Sequence, residues 1–251
     1  MRAAALALLL AAAPAASAEE RRSGFADMST ATQAMQADDA ANPGMLWVLD
    51  GESRWSRTAG RAVRSCAACH GDAAASMRGV AARYPAIDAA SGEAIDLAGR
   101  IALCQARHQE DTPAPRESEA SLALTAFVAH QSRGMPIAPP DDPPMALLRI
   151  EGQAIFRMRR GQLNLSCAQC HDDNAGRRLA GSIIPQGHAT GYPLYRLEWQ
   201  TLGSLQRRFR GCTTGVRAEP FAPGSRDAIA LEAYLMSRAA GMPIEAPAVR
   251  P

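Results

Sequence analysis

Six cysteines and five histidines hold most of the chemistry open to this chain of 251 residues. Four of the cysteines fall in two pentapeptides, Cys66-Ala67-Ala68-Cys69-His70 and Cys167-Ala168-Gln169-Cys170-His171. C-x-x-C-H is the attachment signature of c-type haem: the thiols add across the vinyl groups as thioethers, and the adjacent imidazole lies under the iron as proximal ligand. One such pentapeptide is also compatible with a redox dithiol. Two in one chain point to two covalently bound haem c groups, held by Cys66, Cys69, Cys167 and Cys170, with His70 and His171 on iron. Subtraction leaves Cys104 and Cys212.

The elements that position these groups are duplicated. A shift of 101 residues lays Gly51 on Gly152, Trp55 on Phe156, Gly60 on Gly161, Ser65 on Ser166 and one C-x-x-C-H on the other. The offset becomes 108 for Cys104 and Cys212, and 107 where Leu124, Phe127 and Gly134-Met135-Pro136-Ile137 match Leu231, Tyr234 and Gly241-Met242-Pro243-Ile244. Five of the nine residues from Pro136 to Pro144 are proline, which suits a stiff connection and places the boundary near residue 143, giving copies at 19–143 and 144–251. Apolar residues recur at helical spacing in both copies, as in Leu124, Phe127, Val128 and Leu231, Tyr234, Leu235. Strand signals are sparse, so the expected class is all-α. The pattern resembles two tandem cytochrome c-like domains, in which the porphyrin fills volume that aromatic side chains, here 5%, would otherwise fill.

Met1-Arg2, the apolar run from Ala3 to Ala13 and Ala16-Ser17-Ala18 read as a cleaved secretory signal over 1–18, hence export to an oxidising compartment, a bacterial periplasm. The run is too short to span a membrane, and no later stretch replaces it. Every one of the 27 basic residues is arginine, set against 25 acidic residues for a formal charge of +2. That balance, with no long basic block, leaves no footprint for nucleic acid.

A six-coordinate haem needs a second axial ligand, and Met135 and Met242 are obvious candidates. Both follow the last amphipathic helix of their copy, whereas the resemblance to the cytochrome c fold implies a distal ligand before it. Cys104 and Cys212 occupy that earlier slot, once per copy, and are read as thiolate ligands. The alternative is a plain dihaem electron carrier with methionine ligands and a Cys104–Cys212 disulfide. His188 is an outside candidate for the second iron. The copies differ in charge: Arg207, Arg208, Arg210 and Arg217 surround Cys212, and Arg238 replaces Gln131. Cationic surroundings favour a thiolate, so Cys212 is read as a reactive sulfur open to persulfidation, and Arg238 as an inward arginine seeking an anion, either a haem propionate or a bound substrate.

These residues, with Asn42 to Trp47, Tyr192 to Arg196, Cys212 through Arg217 to Phe221 and Ile244 to Arg250, resemble the SoxA family, the larger subunit of the SoxAX cytochromes of bacterial sulfur oxidation, in its dihaem form. The resemblance implies an L-cysteine S-thiosulfotransferase that joins thiosulfate oxidatively to a cysteine of the SoxYZ carrier. Electrons then pass through haem to a soluble cytochrome c, and a small SoxX-like monohaem subunit is the partner. Carried over by position, Cys212 is the persulfidated distal ligand and covalent centre, Arg238 binds the sulfur anion, and Arg208 is a further candidate. His171 then ligates the same iron, while His70 and Cys104 ligate the other. Some members lack the first motif, which implies that the sulfur chemistry does not require the first haem.

Overall fold

The computed structural model describes residues 20–251, so the export signal expected over 1–18 lies outside them. The helices are α1 (Thr30–Ala37), α2 (Met45–Ser56), α3 (Cys66–His70), α4 (Ala73–Ser76), α5 (Leu97–Cys104), α6 (Glu119–His130), α7 (Pro143–Arg157), α8 (Cys167–His171), α9 (Leu205–Gly215) and α10 (Arg226–Arg238). A π-helical turn, Gln105–Gln109, extends α5. Each haem motif is thus one short helix, started in both copies by the serine that precedes it. The Ser65 hydroxyl accepts from Ala68 N at 3.0 Å and the Ser166 hydroxyl from Gln169 N at 3.2 Å, satisfying backbone donors that a helix start leaves free. In the second copy Gln169 returns a bond to Ser166 N at 2.9 Å and completes a capping box.

The framework of each copy is one helix pair, α2 on α6 and α7 on α10. Glycine sets how closely each pair approaches. A Cβ on Gly51 would lie 2.2 Å from Ala123 O, and one on Gly152 would lie 1.9 Å from Ala230 O, so neither position admits a side chain. The close approach presses Trp55 against Phe127 and Phe156 against Tyr234, with ring centroids 5.8 and 5.3 Å apart.

The all-α expectation needs correction. Seven short strands are present among the described residues: β1 (Ala86–Ile87), β2 (Ala94–Ile95), β3 (Arg178–Leu179), β4 (Ser182–Ile183), β5 (Leu194–Arg196), β6 (Thr201–Gly203) and β7 (Ala248–Arg250). The β1–β2 and β5–β6 hairpins are counterparts: Ala86 faces Ile95 in one and Leu194 faces Gly203 in the other, both partners displaced by 108. In the second copy β7 adds to β5 in parallel. Strands of two or three residues are too short for an alternating pattern to register in the sequence.

The two copies join along their repeated Gly-Met-Pro-Ile segments. Gly134 N bonds to Ile244 O, Ile244 N to Met135 O, Ile137 N to Met242 O and Gly241 N to Ile137 O, all at 2.8–2.9 Å. The seam is nearly self-complementary, as a two-fold relation between duplicated units requires. The proline-rich stretch after it ends directly on α7, where Asp142 caps a helix that begins Pro143-Pro144. Packing does not follow the sequence division at the N-terminus. Ser23 bonds to Glu245, the Asn42 amide donates to Pro247 O at 2.9 Å, and Gln36 accepts from Val249 N at 3.0 Å, so 20–44 wraps the second copy.

Candidate active site

Six free cysteines divide three and three between the copies, and no Cys104–Cys212 disulfide is present. Cys104 ends α5 and acts on Cys66 of its own haem motif, while Cys212 lies on α9 and acts on Cys167 and Cys170 of the other. Met135 reaches instead toward Gly79, and Met242 packs into the core beside the seam.

The second copy presents a complete donor set. The His171 ring lies beside Phe156, tilted and with centroids 6.5 Å apart, and its Nδ1 lies 2.7 Å from Pro185 O. A ring nitrogen that donates to a carbonyl leaves the other nitrogen with its lone pair free, the tautomer found in metal-bound histidines. The thiol of the half-buried Cys212 feels this imidazole directly. An imidazole and a thiol facing each other, beside the Cys167 and Cys170 thiols, fit an axially ligated haem c. In the first copy His70 stacks on Trp55 at 5.6 Å, without an equivalent carbonyl brace.

Electrostatics separate the two distal cysteines. Burial pushes the Cys212 thiol up, but His171, Arg208 and Arg196 outweigh it, and the pKa ends below the ordinary thiol value. Burial likewise pushes Cys104 up, and there Arg100 and Arg107 fail to compensate. Two things differ: no histidine acts on Cys104 as His171 acts on Cys212, and Asp88, which lies 2.9 Å from Arg100 and 2.7 Å from Arg107, takes up their charge. Arg107 first, then Ser91, hold the Asp88 carboxyl well below the usual carboxylate range. Arg208, the counterpart of Arg100, has no ion pair among the described residues.

Arg238 has partners within the protein. Its guanidinium lies 2.7 Å from Asp172 and 3.0 Å from Gln186 O, and stacks 4.9 Å over Phe156, on the side of the site that holds His171. The anion it finds is the residue after the haem motif. Asp172 and Arg238 change together from Gly71 and Gln131 of the first copy, a paired difference that marks an ion pair within the protein. His188 makes a similar bond, its Nδ1 at 2.8 Å from Arg22 O, but does not act on Cys212 as His171 does. Sequence reasoning missed Arg196, which acts on Cys212 from the end of β5.

The model of the family described as SoxA/TsdA, cytochrome c domain, matches twice, over residues 50–137 and 151–244. The chain belongs to this family. It is 38% identical to the L-cysteine S-thiosulfotransferase subunit SoxA of Pseudaminobacter salicylatoxidans over 92% of this chain and 82% of that one. The subunit of the same name from Rhodovulum sulfidophilum is 35% identical, with 92% and 81% covered. The fold matches the crystal structure of SoxXA from P. pantotrophus with a TM-score of 0.88 and 34% identity, covering 92% of this chain and 87% of that chain. Both family matches contain a C-x-x-C-H motif, so a tandem cytochrome c architecture follows for this chain, with covalently bound haem c. Among the described residues no helix is long and apolar enough to cross a membrane.

Proposed function

We propose that this chain is the catalytic subunit of an exported L-cysteine S-thiosulfotransferase, with two haem c groups and Cys212 as covalent centre. The observation that supports this most is the Cys212 thiol, whose pKa is brought below the ordinary value by His171, Arg208 and Arg196 despite its burial. The haem, when bound, supplies a one-electron acceptor next to that sulfur.

The residues do the rest. The arginines beside Cys212 hold the sulfonate end of thiosulfate and turn its outer sulfur toward the Cys212 sulfur, whether thiolate or persulfide. For the thiolate, one sulfur–sulfur bond forms and two electrons leave: Cys212-S⁻ and thiosulfate give Cys212-S-S-SO₃⁻. The carrier thiolate then attacks the middle sulfur, releasing Cys212-S⁻ and forming carrier-S-S-SO₃⁻. The electrons go to a soluble cytochrome c. SoxYZ serves as the carrier, a SoxX-like monohaem protein as the partner subunit, and the periplasm as the location given by the signal over 1–18. In this reading Arg208 binds the anion, and Arg238 instead orients the His171 side through Asp172.

Electron paramagnetic resonance and near-infrared spectra of the oxidised protein are expected to show two low-spin thiolate-type haems and no methionine-to-iron band. The assembled complex is expected to reduce cytochrome c only with thiosulfate and carrier both present. A methionine band, or reduction independent of the carrier, would return the chain to a plain electron carrier.

A further inference from the structure

The hairpins before α5 and α9 correspond residue by residue. Asp88 continues β1, donating its N–H to Glu93 O at 2.8 Å, and the position 108 residues later is Arg196, paired with Thr201 in β5–β6. Arg100 and Arg208 correspond in the same way, each four residues before its cysteine. In the first copy the hairpin side chain reaches the helix side chain directly, at 2.9 Å. In the second copy the same two positions carry two cations. A carboxylate has been replaced by a guanidinium at a place that, in the first copy, ion-pairs with the arginine before the cysteine.

We propose that Arg196 is a second cation of the anion site at Cys212, acting with Arg208, and that Asp88 closes the equivalent place in the first copy to anions. Two guanidiniums held together repel unless an anion lies between them, and a sulfur oxyanion dianion supplies both charges. The Arg196 side chain is mostly buried and held from behind. Its Nε lies 2.9 Å from Glu198 Oε2, and its guanidinium rests against Trp199, which Arg207 flanks as well. Glu198 is largely exposed, so it offsets the charge less than buried Asp88 does in the first copy. Arg196 is thus a positioning residue for the sulfonate end of the substrate, an inference that rests on the proposed thiosulfate chemistry.

Isothermal titration of sodium thiosulfate into the purified haem-loaded protein tests it at fixed ionic strength. Arg196→Gln is expected to weaken binding about tenfold, Arg196→Lys to restore it to within about threefold, and Arg196→Asp to abolish it. Glu198→Gln separates the roles: if Arg196 serves only to pair Glu198, this variant weakens binding as Arg196→Gln does, whereas an anion-binding Arg196 leaves affinity equal or tighter. In turnover, Arg196→Gln is expected to raise KM for thiosulfate more than it lowers kcat. Unchanged thiosulfate affinity in Arg196→Gln, or a wild-type protein that binds none, would overturn the inference. Wild-type binding without carrier-dependent turnover would remove the transferase reading and leave Arg196 in the anion site.

Discussion

The two copies place the same groups around the same position and end with opposite chemistry. Each has a histidine braced by an aromatic pair, a cysteine on the facing helix and an arginine one turn before it. Around Cys104 the positive charge is consumed by Asp88; around Cys212 it is left available. The state of such a sulfur therefore depends both on the imidazole beside it and on what its cationic neighbours are already bound to. Counting arginines near a cysteine overlooks this, because Arg100 and Arg107 are as close in sequence to Cys104 as Arg208 is to Cys212.

The largest effect that sharpens this contrast is expected from the cysteines themselves. Cys212→Ala is expected to lower thiosulfate-dependent cytochrome c reduction by at least about 1,000-fold, as loss of a covalent centre does, while Cys104→Ala keeps activity within about threefold. Equal losses in the two variants would break the comparison. Next come the paired arginines. Arg208→Ala is expected to reduce kcat/KM about 100-fold, or ~2.7 kcal/mol, whereas Arg100→Ala leaves turnover within about twofold and lowers the melting temperature, because Asp88 loses one partner. Arg238→Gln belongs with the second outcome: a changed spectrum on the His171 side and lower stability, with KM for thiosulfate within about threefold.

The smallest effect concerns the pH dependence of stability, where the copies differ in sign. Asp88 titrates below its unfolded value, so its ion pairs stabilise at neutral pH and are lost as pH falls through the folded pKa. Glu232 of α10 lies half-buried between the copies, where desolvation first and nearby Asp96 second push its pKa well up; Gln206 and Arg116 oppose the shift. The folded protein holds this proton where the unfolded chain has released it. Stability is therefore present below the ordinary carboxylate pKa and falls as pH rises toward the folded value, at up to about 1.4 kcal/mol per pH unit for one proton. Thermal unfolding of Glu232→Gln between pH 5 and 8 is expected to be flatter than wild type, and Asp88→Asn flatter below pH 5.

Much of this was legible in the sequence. The haem motifs, the duplication and the helices announced themselves through spacing, and Ser65 and Ser166 stood where caps belong. The small sheet was not, because β5 and β7 pair across more than fifty residues and each strand has only three. The sequence of residues 19–38 carries no recognisable pattern either; what its described part contributes is bonds to Gln186, Glu245 and Val249 of the other copy. For Arg238, helical phase says which face the residue occupies but not which charge lies beside it; Asp172, changed in step with it, was the available sign. Arg196 was readable as well, by extending the 108-residue offset back from the cysteines to Tyr84-Pro85 and Tyr192-Pro193.

The seam between the copies is made by main-chain N–H and carbonyl groups of the Gly-Met-Pro-Ile segments. Such bonds ask little of the side chains beyond a glycine that turns and an isoleucine that buries. Duplicated units joined this way can diverge separately: one can lose its cofactor motif, reverse a charge or acquire a reactive sulfur while the joint that holds it to its twin is untouched. The proposed division of labour between the two halves was thus available from the moment of duplication, with no new interface to invent.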